Sequence, residues 1–244
     1  MTMKKLIFSL LAGFACVGMT SAQSDCMALF PDTKGTTWMT KCYDAQDNML
    51  GSTTYVVKDY SDNIAGPETH ITYTAKNVLG EITSQGELDA YCTNGDFFMK
   101  SKSQVEDPNI TGMISSNINL LGSFLDYPDT FNSAYPFNGQ FQMDAGEFTI
   151  EPKGDRKDAV KVRVFNRNYE KNEKITTPAG TFDASKITYD VEVHNQETKK
   201  TETFKNVEWY ALGAGIIRSE AYNSNNELVN YTILTNMDEL VSQN

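Results

Sequence analysis

The stretch Val160-Lys161-Val162-Arg163-Val164-Phe165 alternates β-branched apolar residues with charged and aromatic ones. In an extended chain successive side chains point to opposite faces. The three valines therefore line one face, and Lys161, Arg163 and Phe165 line the other. A helix would carry Val162 to the far side of its axis from Val160 and Val164, and valine favours strands. A strand is predicted over Val160 to Tyr169, and the same logic extends in both directions. Towards the C-terminus, Thr177-Pro178-Ala179-Gly180 is a turn, followed by a long strand over Thr181 to His194. Thr201 to Tyr210 pairs back on it. Gly213 to Gly215 bends the chain, and Ile216 to Tyr222 and Glu227 to Asn236 form the last hairpin around Asn223 to Asn226.

Towards the N-terminus the pattern repeats. Thr36 to Tyr43 is a predicted strand, Asp44 to Asn48 a turn, and Gly51 to Tyr60 its partner. Thr69 to Lys76, Ile82 to Cys92 and Phe97 to Ser101 follow, with Asn94-Gly95 as a strong turn signal. Gly139 to Met143 and Gly146 to Glu151 read as one hairpin. Between 105 and 127 the alternation is lost. Ile110, Met113, Ile114, Ile118, Leu121 and Leu125 fall at helical spacing, among Ser, Asn, Thr and Gly, which are poor helix formers. A short helix or packed loop is expected near 108–125. The count is about eleven or twelve strands, more than an open flat sheet tolerates without curling. The expected fold is all-β, a single curled antiparallel sheet in the form of a β-roll or open barrel, which leaves few exposed edges.

The chain has 244 residues and a formal net charge of −11. Met1 to Lys5 is basic, Leu6 to Gly18 is mostly apolar, and Thr20-Ser21-Ala22 places small residues before a cleavage point, the pattern of a secretory signal. Cleavage after Ala22 leaves a single expected domain over 23–244, more acidic for the loss of Lys4 and Lys5. Such a surface repels phosphates and argues against a nucleic-acid partner. No later segment is long and apolar enough for a transmembrane helix. Export to the periplasm or the extracellular space is expected, rather than anchoring as an outer-membrane lipoprotein. Cys16 lies inside the signal and is preceded by Gly13 where a lipidation site usually has Leu.

Export leaves Cys26, Cys42 and Cys92, so at most one internal bridge forms. Cys26 with Cys92 is the preferred pairing and Cys26 with Cys42 the alternative. The chemistry-bearing side chains do not assemble into a known motif. His70 and His194 stand alone in predicted strands, so no metal site and no cofactor are expected. There is no Gly-x-Ser-x-Gly elbow. Asp44-x-x-Asp47 sits in a turn, where Asp bonds its own backbone, and lacks calcium-loop spacing. Trp209-Tyr210-Ala211-Leu212-Gly213-Ala214-Gly215 lacks the Lys and Ser/Thr of a phosphate loop and reads as a bend between strands.

Four stretches, in this order, resemble the TapB-like family of secreted bacterial β-proteins, related to a larger domain of unknown function. They are Phe30-Pro31 through Gly35 with Tyr43-Asp44; Pro128 to Gly139 around Pro136-Phe137-Asn138-Gly139; Thr177 to Phe182 leading to Lys186-Ile187; and Trp209-Tyr210 with Gly213, Gly215 and Ile216 to Ser219, leading to Tyr231 to Thr235. Ala184 departs from the pattern, since relatives often carry Cys there. The resemblance implies a curled β-sheet outside the cytoplasm and no established activity.

The functional expectation is a non-enzymatic exported domain that binds an apolar ligand, a lipid or hydrophobic peptide, on the concave face of its sheet. Ile110, Met113, Ile114, Ile118, Leu121 and Phe124 are the candidate lid, with Phe141 and Phe148 as candidate wall residues. The alternative is an envelope assembly protein acting through an edge strand or a surface aromatic patch.

Overall fold

The computed structural model describes residues 30–63, 66–93, 96–105, 118–122, 127–128, 141–142, 146–152 and 160–238. Among them there are fourteen strands, all in one antiparallel sheet, and no helix. The all-β expectation and the curled single sheet hold.

The first meander runs through β1 (Thr37–Asp44), β2 (Met49–Asn63), β3 (Gly66–Asn77), β4 (Ile82–Thr93) and β5 (Asp96–Val105). Four short strands follow: β6 (Ile118–Gly122), β7 (Tyr127–Pro128), β8 (Phe141–Gln142) and β9 (Gly146–Pro152). The second meander comprises β10 (Val160–Thr177), β11 (Gly180–Asn195), β12 (Thr201–Ala211), β13 (Gly215–Tyr222) and β14 (Leu228–Asp238). The spatial order is β6-β9-β10-β11-β12-β13-β14-β1-β2-β3-β4-β5-β7. The first strand of one meander thus joins the last strand of the other, with Thr37 opposite Asp238 and Asp44 opposite Asn230. The sheet curls: Cα atoms of β5 and β6, near its opposite ends, come within 8 Å without forming a ladder, as do those of β10 and β14.

Two expectations are corrected. Phe141–Gln142 and Gly146–Pro152 do not form a hairpin with each other; both pair with β10, at Tyr169/Asn168 and at Val160 to Val164. The long β10 offers enough free edge for two short strands in tandem. In the stretch expected as helix or loop, Ile118–Gly122 is a strand paired with β9. The intervening Ser, Asn and Gly residues give a helix little support, whereas the edge of β9 supplies a ready ladder. Residues 106–117 and 123–126 lie outside the described residues.

One turn design recurs. Asp44, Asn77 and Asn223 each begin a turn in which one Oδ1 accepts two backbone N–H bonds: from Gln46 and Asn48, from Leu79 and Glu81, and from Asn225 and Glu227. The fourth residue has positive φ in each: Asp47 (62°), Gly80 (82°) and Asn226 (60°). Asn48, Glu81 and Glu227 then close the hairpins through backbone and side-chain bonds. Antiparallel order puts all three turns on one rim of the sheet.

The inner face is the core. It takes Val160, Val162 and Val164 from β10, Ile187 from β11, Ile217 from β13, Leu234 from β14, Trp38 from β1, Val57 from β2 and Ile71 from β3. The alternation that predicts β10 is realised in its burial, with Lys161 and Arg163 exposed between the valines.

Candidate functional site

The described part of the inner face holds a cavity of about 250 Å³ where β1, β2, β4, β13 and β14 converge. Its position follows from strand alternation plus the joining of β1 to β14. Trp38 and Tyr55 are directly opposite in register, and their rings stack at 5.0 Å with 11° between planes. Phe30 leans on Trp38 at 6.5 Å and covers Gly215, where a β-carbon would lie 3.0 Å from its ring. Leu88, Ile216, Ile217 and Leu234 complete the apolar wall, and Thr40, Arg218, Ser219 and Thr232 interrupt it. Burial pushes the Tyr55 phenol above its ordinary value, so it stays neutral, with Thr40 as a hydrogen-bond partner. An apolar cavity of roughly 150 Å³ suffices for benzene. This one is larger, and its lining mixes apolar side chains with Thr40, Arg218, Ser219 and Thr232.

Further along the inner face a polar cluster is buried. A bulge at Asn166, whose φ is 52°, breaks the β10 ladder between Phe165 and Asn168 and turns Arg167 inward to 1% exposure. Glu208 accepts hydrogen bonds from Tyr189 Oη at 2.6 Å and Tyr210 Oη at 2.8 Å. Burial pushes the Glu208 carboxyl above its ordinary range, against those two hydroxyls and the positive charge of Arg167. Neither Arg167 nor Glu208 lines the cavity, and the Tyr189–Glu208 hydrogen bond ties β11 to β12.

The outer face carries a ladder of rings and cations. Lys186 Nζ and the Arg218 guanidinium each lie 5.8 Å from the Trp209 ring, and Arg218 also lies 5.2 Å from Tyr231. Tyr231 stacks on Tyr43 at 5.1 Å. Trp209 donates its indole N–H to Glu173 at 2.7 Å, and it is buried by its own neighbours. On β3 and β4, Glu68, His70 and Asp89 form the one group of three potential metal ligands among the described residues, with ligand atoms within 4.8 Å of one another. His70 Nδ1 is 2.7 Å from Asp89 Oδ1, and Lys100 stands opposite Asp89 in register. The His70–Asp89 contact is an ion pair when the imidazole carries its proton.

The sequence-predicted site residues fall elsewhere. Ile118 and Leu121 lie on β6, opposite Pro152 and Thr149. Phe148 is opposite Val162 and Phe141 opposite Tyr169, so these four gather at the β6–β9 end of the sheet. Ile110, Met113, Ile114 and Phe124 lie outside the described residues, as does Cys26 of the preferred disulfide. Cys92 lies near the end of β4, and Cys42 is a free, half-buried thiol on β1. The cavity residues went unrecognised because Trp38, Tyr55 and Leu234 each look like ordinary strand residues. Only the pairing of the first strand with the last brings them together.

The fold defines the class: an all-β protein built as one curled antiparallel sheet. The chain belongs to the DUF3108-like family, whose pattern matches residues 33–234. Two solved structures are similar over 86% of this chain and 98% of their own. One is a protein of Parabacteroides distasonis inferred to be a lipoprotein (32% identity, TM-score 0.74). The other is a protein of Bacteroides fragilis inferred to be exported, with a YmcC-like fold (27% identity, TM-score 0.72). No curated protein matches the chain. Export fits these neighbours. Among the described residues, no helix is long and apolar enough to cross a membrane.

Proposed function

We propose that the chain is a non-enzymatic exported binding protein that takes an apolar group, the acyl chain of a lipid or the side chains of a hydrophobic peptide, into the inner-face cavity. The observation that carries the reading is the cavity itself, with Trp38, Tyr55, Phe30, Leu88, Ile217 and Leu234 around about 250 Å³. A pocket that is mostly apolar with a few fixed polar groups is the usual form of a small-ligand site. Thr40, Arg218, Ser219 and Thr232 supply those polar groups. The lid and wall expected from the sequence, with Ile118 and Leu121 on β6 and with Phe141 and Phe148 paired to β10, belong to the same proposal. The narrower TapB-like kinship read from the motifs belongs to the same proposal.

The test is native mass spectrometry and solvent extraction of the purified exported protein. The expected result is a co-purifying apolar molecule whose occupancy falls sharply in Ile217→Trp, a variant that fills the cavity. Wild-type preparations that are consistently empty, or occupancy unchanged in the filled variant, overturn the reading.

A further inference from the structure

Among the described residues eight large apolar side chains are exposed, and six of them stand on one rim of the sheet: Met49, Leu50, Val78, Leu79, Ile82 and Val229. Register places them side by side. Val229 precedes Asn230, which pairs with Asp44 of β1; Met49 pairs with Tyr43; Gly51 pairs with Asn77, next to Val78; and Ile82 pairs with Lys76. The strip crosses five strands, or about 19 Å at the usual strand spacing.

Turn chemistry does not explain it. Three of the turns on this rim share one hydrogen-bond design, and their two central positions are Ala45-Gln46, Ser224-Asn225 and Val78-Leu79. Two of the three carry small or polar residues there, as turns ordinarily do. In the third, a β-branched residue and a leucine stand at the tip, exposed by 55% and 78%. Exposed apolar side chains that cluster, rather than scatter singly, mark contact surfaces.

The charges around the strip indicate what covers it. Asp44, Asp47, Glu81 and Glu227 flank it, with Lys76 opposing them. We infer that this rim docks a partner protein through a segment that presents apolar side chains together with Lys or Arg. A second copy of the chain would bring the same carboxylates face to face, on molecules that already carry a net charge of −11. A phospholipid surface, neutral or anionic, would have to accept those carboxylates at the depth of the inserted leucine, which is costly. A cationic apolar segment satisfies both the strip and its flanks.

The full exported chain is titrated with an amphipathic peptide of Leu and Lys and with its counterpart in which every Lys is Glu. Phosphatidylcholine vesicles, vesicles with added phosphatidylglycerol, and sedimentation of the protein alone are run alongside. The Leu/Lys peptide is expected to bind, with affinity that falls as salt rises. Leu79→Ser should lower that affinity by about tenfold, the size expected for a central apolar anchor. The double variant Glu81→Gln, Glu227→Gln, which keeps oxygen acceptors for Asn77 and Asn223, should lower it several-fold. Thermal melts establish that these rim variants stay folded, and Ile217→Trp should leave peptide binding intact, which separates this surface from the cavity. Equal binding of the Leu/Glu peptide, or affinity unchanged in Leu79→Ser, overturns the inference. So does vesicle binding or self-association that Leu79→Ser abolishes.

Discussion

Gly51 has no room for a β-carbon: one built there lies 2.5 Å from the Lys76 carbonyl oxygen on β3. The oxygen belongs to the backbone and the β-carbon is fixed to it, so the clash is relieved only by moving β2 away from β3. Gly51→Ala is expected to destabilise the protein by about 1–3 kcal/mol, read as a lower urea midpoint at unchanged slope. Gly80 is the opposite case, with open space and φ of 82°. His70 offers a pH-dependent test. Its hydrogen bond with Asp89 chiefly raises its pKa above the usual 6.5, with the charges of Asp89, Glu68 and Asp59 adding to the effect. A raised histidine stabilises the fold fully below its unfolded pKa, and that stability is lost as pH rises through the folded value. The pair is partly exposed, with side-chain accessibilities of 43% and 17%, so screening holds the contribution below about 1 kcal/mol. Urea midpoints are expected to fall from mildly acidic to mildly alkaline pH in the wild type, and His70→Gln or Asp89→Asn should flatten that fall. A slope unchanged in both variants refutes the pairing. At this scale the sequence revealed that His70 stands alone in its strand, but it could not show which residue faces it across the ladder.

The recurrent turn permits a comparison within one molecule. Asn77 and Asn223 each accept two backbone N–H bonds and donate to a glutamate. Asn77→Ala or Asn223→Ala leaves those donors to water and frees the loop. A cost of about 1–2 kcal/mol is expected for each, and the two should add because the turns share no partner. Gly80→Asn should be nearly neutral, since Asn226 already holds the same position at φ of 60°. Gly80→Val should cost more than 1 kcal/mol, because a β-branched residue at positive φ is strained. Chemical denaturation of the four variants settles the order, and a Gly80→Asn variant as unstable as Gly80→Val would contradict the shared design. Elements of this kind were legible from local chemistry: Asp44 to Asn48, Asn223 to Asn226 and the Val160 strand carry their signals within a few residues. The β8–β9 relation was not, because two strands close in sequence look like a hairpin whether they pair with each other or with a third. The Arg167 bulge left no local signal either. A single skipped pairing reverses which face the next residue meets, so a lone arginine in a polar run turns out to be core.

At the scale of the molecule the decisive feature is the β1–β14 ladder, which joins the two meanders and sets Trp38 and Leu234 around one cavity. No local pattern encodes that pairing; strand count argues only that the sheet must curl. The same ladder brings the start of β1 opposite the end of β14, Thr37 to Asp238. Connectivity should therefore matter less than this seam. A circular permutant that links Asp238 to Phe30 through a short Gly/Ser loop, with new ends in the Pro178-Ala179 turn, keeps every described ladder and keeps Phe30 on Gly215. It is expected to fold cooperatively, with a melting temperature within a few degrees of the wild type. It should refold more slowly, because the cut turns the β10–β11 hairpin, a longer ladder than β1–β14, into the pairing that spans the whole chain. Leu234→Ala in either chain removes a fully buried side chain at the seam and should cost about 2–5 kcal/mol. If the permutant is unfolded while the linear Leu234→Ala variant is barely perturbed, the β1–β14 ladder is not what holds the two halves together. A permutant that folds and loses the same stability on Leu234→Ala places the seam, rather than the order of the chain, at the centre of the architecture.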